Sequence, residues 1–224
     1  MTEPAATLAS IRSFDLPGPA GSLEALLNTG DPDAPYAALV CHPHPLGGGT
    51  MHNKVVYHAM KALNGLGIPV LRFNFRGTGR SAGEHDDGRG EQDDIRAELD
   101  WLDNEFHRPI LFAGFSFGAN VGMRTCCGDP RVAGIIALGL PVAAEGRTYT
   151  YRYLPSCTKP KLFISGDRDQ YGPYTEVETI VATAPEPKRL IWIADADHFF
   201  LGKLPQVQTA IVEWVEAQFL TGKP

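Results

Sequence analysis

Apolar positions in this chain gather into short, nearly unbroken runs at residues 37–42, 68–73, 110–113, 132–138, 161–165 and 189–193. Runs of that length without polar alternation are the mark of strands buried on both faces. Between them lie segments expected to be helical, at residues 53–66, 92–106, 119–127, 175–184 and 206–219. The second of these places Ile95, Leu99, Leu102 and Phe106 on one helical face. Two shorter strands are expected at 9–14 and 22–27, separated by Leu16-Pro17-Gly18-Pro19-Ala20-Gly21, which reads as a turn. They predict an opening antiparallel hairpin. Strands alternating with helices imply a mostly parallel sheet of about eight strands, covered by helices on both faces. No repeat, low-complexity tract or linker interrupts residues 1–224, so a single domain is expected.

Composition narrows the function without naming it. The chain has 224 residues, 43% hydrophobic and 21% charged, with a net charge of −6. An acidic balance disfavours nucleic acid and anionic membrane surfaces as partners. No apolar run reaches the roughly 20 residues of a spanning helix. The start, Met1-Thr2-Glu3-Pro4-Ala5-Ala6, lacks a basic head and an apolar core, so no signal peptide is expected. The four cysteines give no disulfide framework; we expect reduced, structural thiols and a cytoplasmic location.

The chemistry begins at Gly114-Phe115-Ser116-Phe117-Gly118, between a predicted strand and a predicted helix. Gly-x-Ser-x-Gly at such a turn forms a nucleophile elbow. The serine is held in a strained conformation so that its hydroxyl stands clear of the backbone. Glycines two positions either side let strand and helix approach where a Cβ would collide.

In a parallel sheet, catalytic groups sit on loops at the carboxyl ends of strands. Two downstream loops carry suitable partners: Gly166-Asp167-Arg168-Asp169, and Ala194-Asp195-Ala196-Asp197-His198-Phe199-Phe200. His198 is the candidate base, taking the proton from Ser116 and returning it to the leaving group. An aspartate would fix its tautomer. Asp167 and Asp169 both qualify, with Glu145 a weaker candidate.

The order serine, acid, histidine resembles the α/β-hydrolase superfamily across nearly the whole chain. The run His42-Pro43-His44-Pro45-Leu46-Gly47-Gly48-Gly49-Thr50-Met51-His52-Asn53-Lys54-Val55-Val56 is similar to that of a small bacterial subgroup of predicted hydrolases and esterases. Phe73-Asn74-Phe75-Arg76-Gly77-Thr78-Gly79-Arg80-Ser81 supports the same placement. The resemblance implies an α/β-hydrolase fold with little or no cap, and a Ser116–His198–Asp169 triad. Asp169 is favoured over Asp167 because Gly166-x-x-Asp169 resembles the acid loop of the superfamily. It also implies an oxyanion hole built from the Phe117 amide and a second amide on the loop after the third strand. Pro43 and Pro45 have no N–H. Reading the loop against the His-Gly-x-Gly-Gly form points to Leu46, with His44 as the fallback.

Other readings are weaker. His42, His44, His52 and His58 cluster in sequence, and His-x-His is a metal-ligand spacing, but no acidic residue in that stretch completes a shell. Gly77-Thr78-Gly79-Arg80-Ser81-Ala82 matches a dinucleotide fingerprint. However, Gly83-Glu84-His85-Asp86-Asp87-Gly88 follows where a helix should open at once. A non-catalytic binding module on the same scaffold is the remaining alternative.

The expectation is therefore a serine carboxylester hydrolase for small or medium esters, working through an acyl-enzyme without a cofactor. Thioesterase, amidase and acyltransferase activities would use the same groups. His44, Phe115, Phe199 and Phe200 are candidate pocket residues, and Tyr149, Tyr151, Tyr153, Tyr171 and Tyr174 candidate rim residues. Arg76 could bind a substrate carboxylate or pair with Glu91, Asp93 or Asp94. The partner is a small-molecule ester, and the assembly a monomer or homodimer.

Overall fold

The structure is a computed structural model that describes residues 10–144 and 146–221. Strands β1 (Ile11–Gly18) and β2 (Gly21–Asn28) form the opening hairpin, followed by β3 (Ala37–Cys41), α1 (Lys54–Gly65) and β4 (Val70–Phe73). The chain continues through α2 (Gly90–Phe106), β5 (Ile110–Phe115), α3 (Phe117–Cys126) and β6 (Val132–Leu138). A two-residue hairpin, β7 (Ala143–Ala144) with β8 (Arg147–Thr148), stands apart from the main sheet. Then come β9 (Lys161–Gly166), α4 (Tyr174–Ala182), β10 (Lys188–Ile193) and α5 (Leu204–Val215). The expected start of the first strand at Ala9 falls outside the described residues.

The eight-stranded sheet has the order β1-β2-β4-β3-β5-β6-β9-β10. Pairs β1–β2 and β2–β4 are antiparallel, and the rest of the sheet is parallel. The parallel strands read as unbroken apolar runs because alternate residues enter different layers. In β3, Ala37, Leu39 and Cys41 face the core under α2 and α3, while Ala38 and Val40 face the core under α1 and α5. The same alternation sends Phe112 to the first layer and Leu111 and Ala113 to the second. Both faces are therefore dry, and helices cover each.

Two expectations change here. The strand read as 68–73 begins only at Val70, since Pro69 interrupts the run and has no N–H to donate. The expectation of four reduced thiols is wrong: Cys127 and Cys157 form a disulfide, with Cα atoms 5.0 Å apart. Cys127 caps the end of α3, and the segment between β6 and β9 carries Cys157 back over it. Only Cys41 and Cys126 are free, and both are buried. Among the described residues no helix is long and apolar enough to cross a membrane.

Glu98 is the odd group in the core. It lies fully buried on α2, and neither carboxyl oxygen has a hydrogen-bond partner among the described residues. Burial pushes its pKa well above the usual carboxylate range, and the neighbouring Asp94 pushes it the same way. The folded state therefore favours the neutral form. Its cost is absent below the unfolded value of about 4.3 and grows as pH rises toward the folded value. Replacing the side chain with an apolar one of similar length removes that cost. Glu98→Met is expected to stabilise the fold by about 1 kcal/mol or more at neutral pH. Urea unfolding at two pH values checks this: the gain should shrink near pH 4, and a destabilised variant would contradict it.

Candidate active site

Ser116 sits where β5 ends and α3 begins, with φ 55° and ψ −118°, a conformation few side-chain-bearing residues adopt. The flanking glycines are sterically required. A Cβ on Gly114 would lie 2.6 Å from the Gly118 carbonyl oxygen, and one on Gly118 would lie 2.5 Å from that of His42. Strand, elbow helix and the loop after β3 thus meet closer than any other residue type permits. The Ser116 amide donates to the Leu138 carbonyl at 2.9 Å, which anchors the turn to β6.

The loop after β10 brings His198 over this turn. Asp197 shapes that loop, its Oδ1 accepting from the amides of Phe199 and Leu201 at 3.1 and 3.0 Å. His198 Nε2 lies 2.9 Å from Ser116 Oγ, and His198 Nδ1 lies 2.8 Å from Asp169 Oδ2. The other oxygen, Asp169 Oδ1, accepts from the amides of Tyr171 and Gly172 at 2.8 and 3.0 Å. The carboxylate is therefore fixed on both sides by its own loop and by the imidazole. Asp167 is exposed on the same loop, outside this chain of contacts. Glu145 falls outside the described residues. Phe115, Tyr171 and Phe199 surround the His198 ring at centroid distances of 5.0, 4.8 and 5.3 Å. Ser116, His198 and Asp169 are all largely buried, at 8%, 2% and 5% exposure, so their hydrogen bonds compete little with water.

The loop after β3 corrects one expectation. Residues Pro45–Gly47 form a single helical turn, closed by the Gly47 and Gly49 amides donating to the His44 carbonyl. Inside it the Leu46 amide donates to His44 Nδ1 at 3.2 Å, and the Leu46 side chain is 72% exposed. Leu46 is thus consumed by its own turn and does not line the cleft. The His44 amide has no hydrogen-bond partner among the described residues. Its residue lines the cleft beside Ser116. The Phe117 amide is likewise open, as the first N–H of α3.

Two histidines hold this loop in place. The Phe75 amide donates to His42 Nε2 at 3.0 Å, so the ring proton sits on Nδ1 and meets the Pro43 carbonyl at 2.6 Å. Burial lowers the His42 pKa to about 4. The His44 pKa also falls to about 4, first through burial and then through the charges of Arg147 and His85, partly opposed by Asp87. Both rings are neutral near pH 7, and neutrality lets His44 Nδ1 accept the Leu46 amide. His52 is exposed, and His58 Nδ1 lies 3.2 Å from Gln208 Oε1. The four clustered histidines thus serve different neighbours.

The cleft at Ser116 has a volume of about 110 Å³, with His44, Arg147, Tyr149, Tyr171 and Phe199 among its walls. Of the expected pocket residues, His44 and Phe199 line it. Phe115 and Phe200 do not: both are fully buried beneath the site, packed against each other. Tyr149 and Tyr171 line the cleft, whereas the hydroxyls of Tyr151 and Tyr153 donate to the carbonyls of Pro141 and Asn120. Tyr174 stacks on Trp192. Arg76 pairs with Asp94, Nη2 to Oδ1 at 2.7 Å, and takes no part in the cleft. Arg147 was not a sequence candidate. It reaches the cleft from β8 on the short excursion after β6, and only the path of that excursion reveals it.

The sequence profile of the alpha/beta hydrolase domain matches residues 37–217. The chain belongs to the alpha/beta hydrolase family. It is 38% identical over 206 residues to an uncharacterised protein of Rickettsia prowazekii, covering 88% of this chain and 86% of that one. An alpha-beta serine hydrolase homologue from Coxiella burnetii superposes with a TM-score of 0.83 at 36% identity, over 93% of this chain and 99% of that chain. A serine hydrolase without a lid from Xanthomonas campestris gives 0.82 at 34% identity, over 99% and 100%. The chain thus shares the fold of these two serine hydrolases.

Proposed function

We propose that the protein is a serine carboxylester hydrolase that works through an acyl-enzyme on Ser116. The observation that carries this reading is the continuous hydrogen-bonded chain from Ser116 Oγ through His198 to Asp169. Ser116 Oγ attacks the ester carbonyl as His198 Nε2 takes its proton. Asp169 holds the Nδ1 proton in place and stabilises the imidazolium that forms. The carbonyl oxygen becomes an oxyanion facing the amides of Phe117 and His44, which replace the expected Phe117–Leu46 pair. Collapse expels the alcohol, protonated by His198. Water then enters, gives its proton to His198 and releases the acid, which regenerates the serine.

Among the described residues the loop between β6 and β9 brings the short β7–β8 hairpin and Tyr149 to the cleft. A site so thinly covered suits small or medium esters free in solution, with no interfacial step. Partition with methanol tests the covalent intermediate. Butanoate esters with different leaving groups should give one constant ratio of methyl butanoate to butanoic acid, because all pass through the same acyl-enzyme. A ratio that follows the leaving group would contradict it.

A further inference from the structure

The cleft at Ser116 opens in two directions of opposite chemistry. Past His44, Arg147 and Tyr149 it continues into an arm of about 340 Å³. Past Gly48, Asn53 and Phe199 it continues into a groove of about 420 Å³. The groove is walled by Val55, Phe199, Leu201 and Leu204, with His52 and Lys54 along its edge. Phe199 and Leu201 are 47% and 77% exposed, a continuous apolar surface beside the nucleophile. The arm is walled by Arg124, Arg147, Asn120, Thr148 and Thr150, with Asp87 also lining it.

Arg124 carries the binding chemistry of the arm. In this acidic chain Arg76, Arg80, Arg89, Arg96, Arg131 and Arg168 each sit against a carboxylate. Arg124 sits against neutral groups instead. Its Nη2 donates to the Thr150 carbonyl at 3.5 Å and lies 3.3 Å from the Thr150 hydroxyl. Its guanidinium carbon lies 5.8 Å from the centre of the Tyr153 ring. No carboxylate pairs with it among the described residues, so most of its five N–H donors are available to a ligand. The contacts to Thr150 and Tyr153 also hold the side chain in place before a ligand arrives.

The arm presents the Arg124 guanidinium, with Arg147 and the Asp87 carboxylate also along its walls. Asp87 itself lies 3.5 Å from His85 Nε2 and is mostly exposed. A guanidinium with open donors suits a carboxylate, which an arginine fork binds through two parallel N–H bonds. We propose that the substrate is an ester with an apolar group on one side of the scissile bond and a carboxylate on the other. The carboxylate is held by Arg124, and the apolar group lies along Phe199 and Leu201. This names the substrate class of the ester-hydrolase reading above and rests on it.

Two matched pairs of chromogenic esters test the proposal. In the first pair, nitrophenyl butanoate is compared with the same ester carrying a carboxylate on its ring. In the second, nitrophenyl hexanoate is compared with the nitrophenyl monoester of adipic acid. The expected result is a higher kcat/KM for the carboxylate in one pair, which also shows which half of the ester enters the arm. In Arg124→Gln the ratio of charged to neutral kcat/KM should fall about tenfold, through KM. Arg124→Lys, which keeps the charge and loses the fork, should recover part of it. Ser116-dependent turnover of the neutral esters with no carboxylate preference in either pair would overturn this proposal and leave the ester reading standing. An equal loss for both members of a pair in Arg124→Gln would also overturn it. No turnover of any of the four esters would overturn both readings.

Discussion

Ser116→Ala is expected to lower kcat by roughly 10³-fold or more while leaving the fold intact. The substitution removes one oxygen atom, and alanine tolerates the φ of 55° no worse than serine does. The amide of residue 116 still donates to the Leu138 carbonyl, so the turn keeps its anchor. What disappears is the atom 2.9 Å from His198 Nε2, and with it the covalent route. The remaining rate would come from water activated by His198 and from the two amides proposed to hold the oxyanion. Steady-state hydrolysis of a short nitrophenyl ester, with thermal unfolding in parallel, checks both halves. A well-folded variant that turns over at near the wild-type rate would remove Ser116 from the nucleophile's role.

The second large effect separates two aspartates that lie two residues apart. Asp169→Asn should cost kcat on the order of 10³- to 10⁴-fold, because an amide at that position presents the wrong partner to His198 Nδ1. The ring would then favour the tautomer that cannot accept the serine proton. Asp167→Asn should leave kcat within about twofold, since Asp167 is exposed and outside the hydrogen-bonded chain. Asp169 also accepts two backbone amides of its own loop, so its variant should lose some stability as well. The kinetic split distinguishes the two roles: a lost tautomer lowers kcat even in fully folded protein. Equal losses for the two variants would contradict the assignment.

The parallel strands were legible in the sequence because both faces of the sheet are dry, which leaves almost no polar residue in runs such as Leu111-Phe112-Ala113. Ser116 was legible because its turn needs Gly114 and Gly118 within a few residues, a local requirement that sequence can carry. The choice between Asp167 and Asp169 was harder. It depends on which carboxylate the loop turns toward His198, and the amides of Tyr171 and Gly172 decide that. Leu46 was a wrong expectation, since matching by motif ignored that a helical turn beginning at Pro45 would consume its amide. Phe115 and Phe200 were likewise expected within the pocket but lie beneath the site; a strand end and a positive-φ turn each direct a side chain that composition cannot.

The segment between β6 and β9 defied sequence reasoning most. It has no strong periodicity, yet its course pairs Cys157 with Cys127 and delivers Arg147 and Tyr149 to the cleft. These are contacts between residues far apart in sequence, fixed by the path of a loop over α3.

The central claim is that Ser116 is an activated nucleophile, and intact-mass spectrometry after exposure to a small fluorophosphonate tests it most directly. The account predicts one adduct per chain, mapped by peptide digestion to Ser116, formed at the same rate with and without EDTA, and absent from Ser116→Ala. Folded protein that forms no adduct, or forms one at another residue, would contradict it.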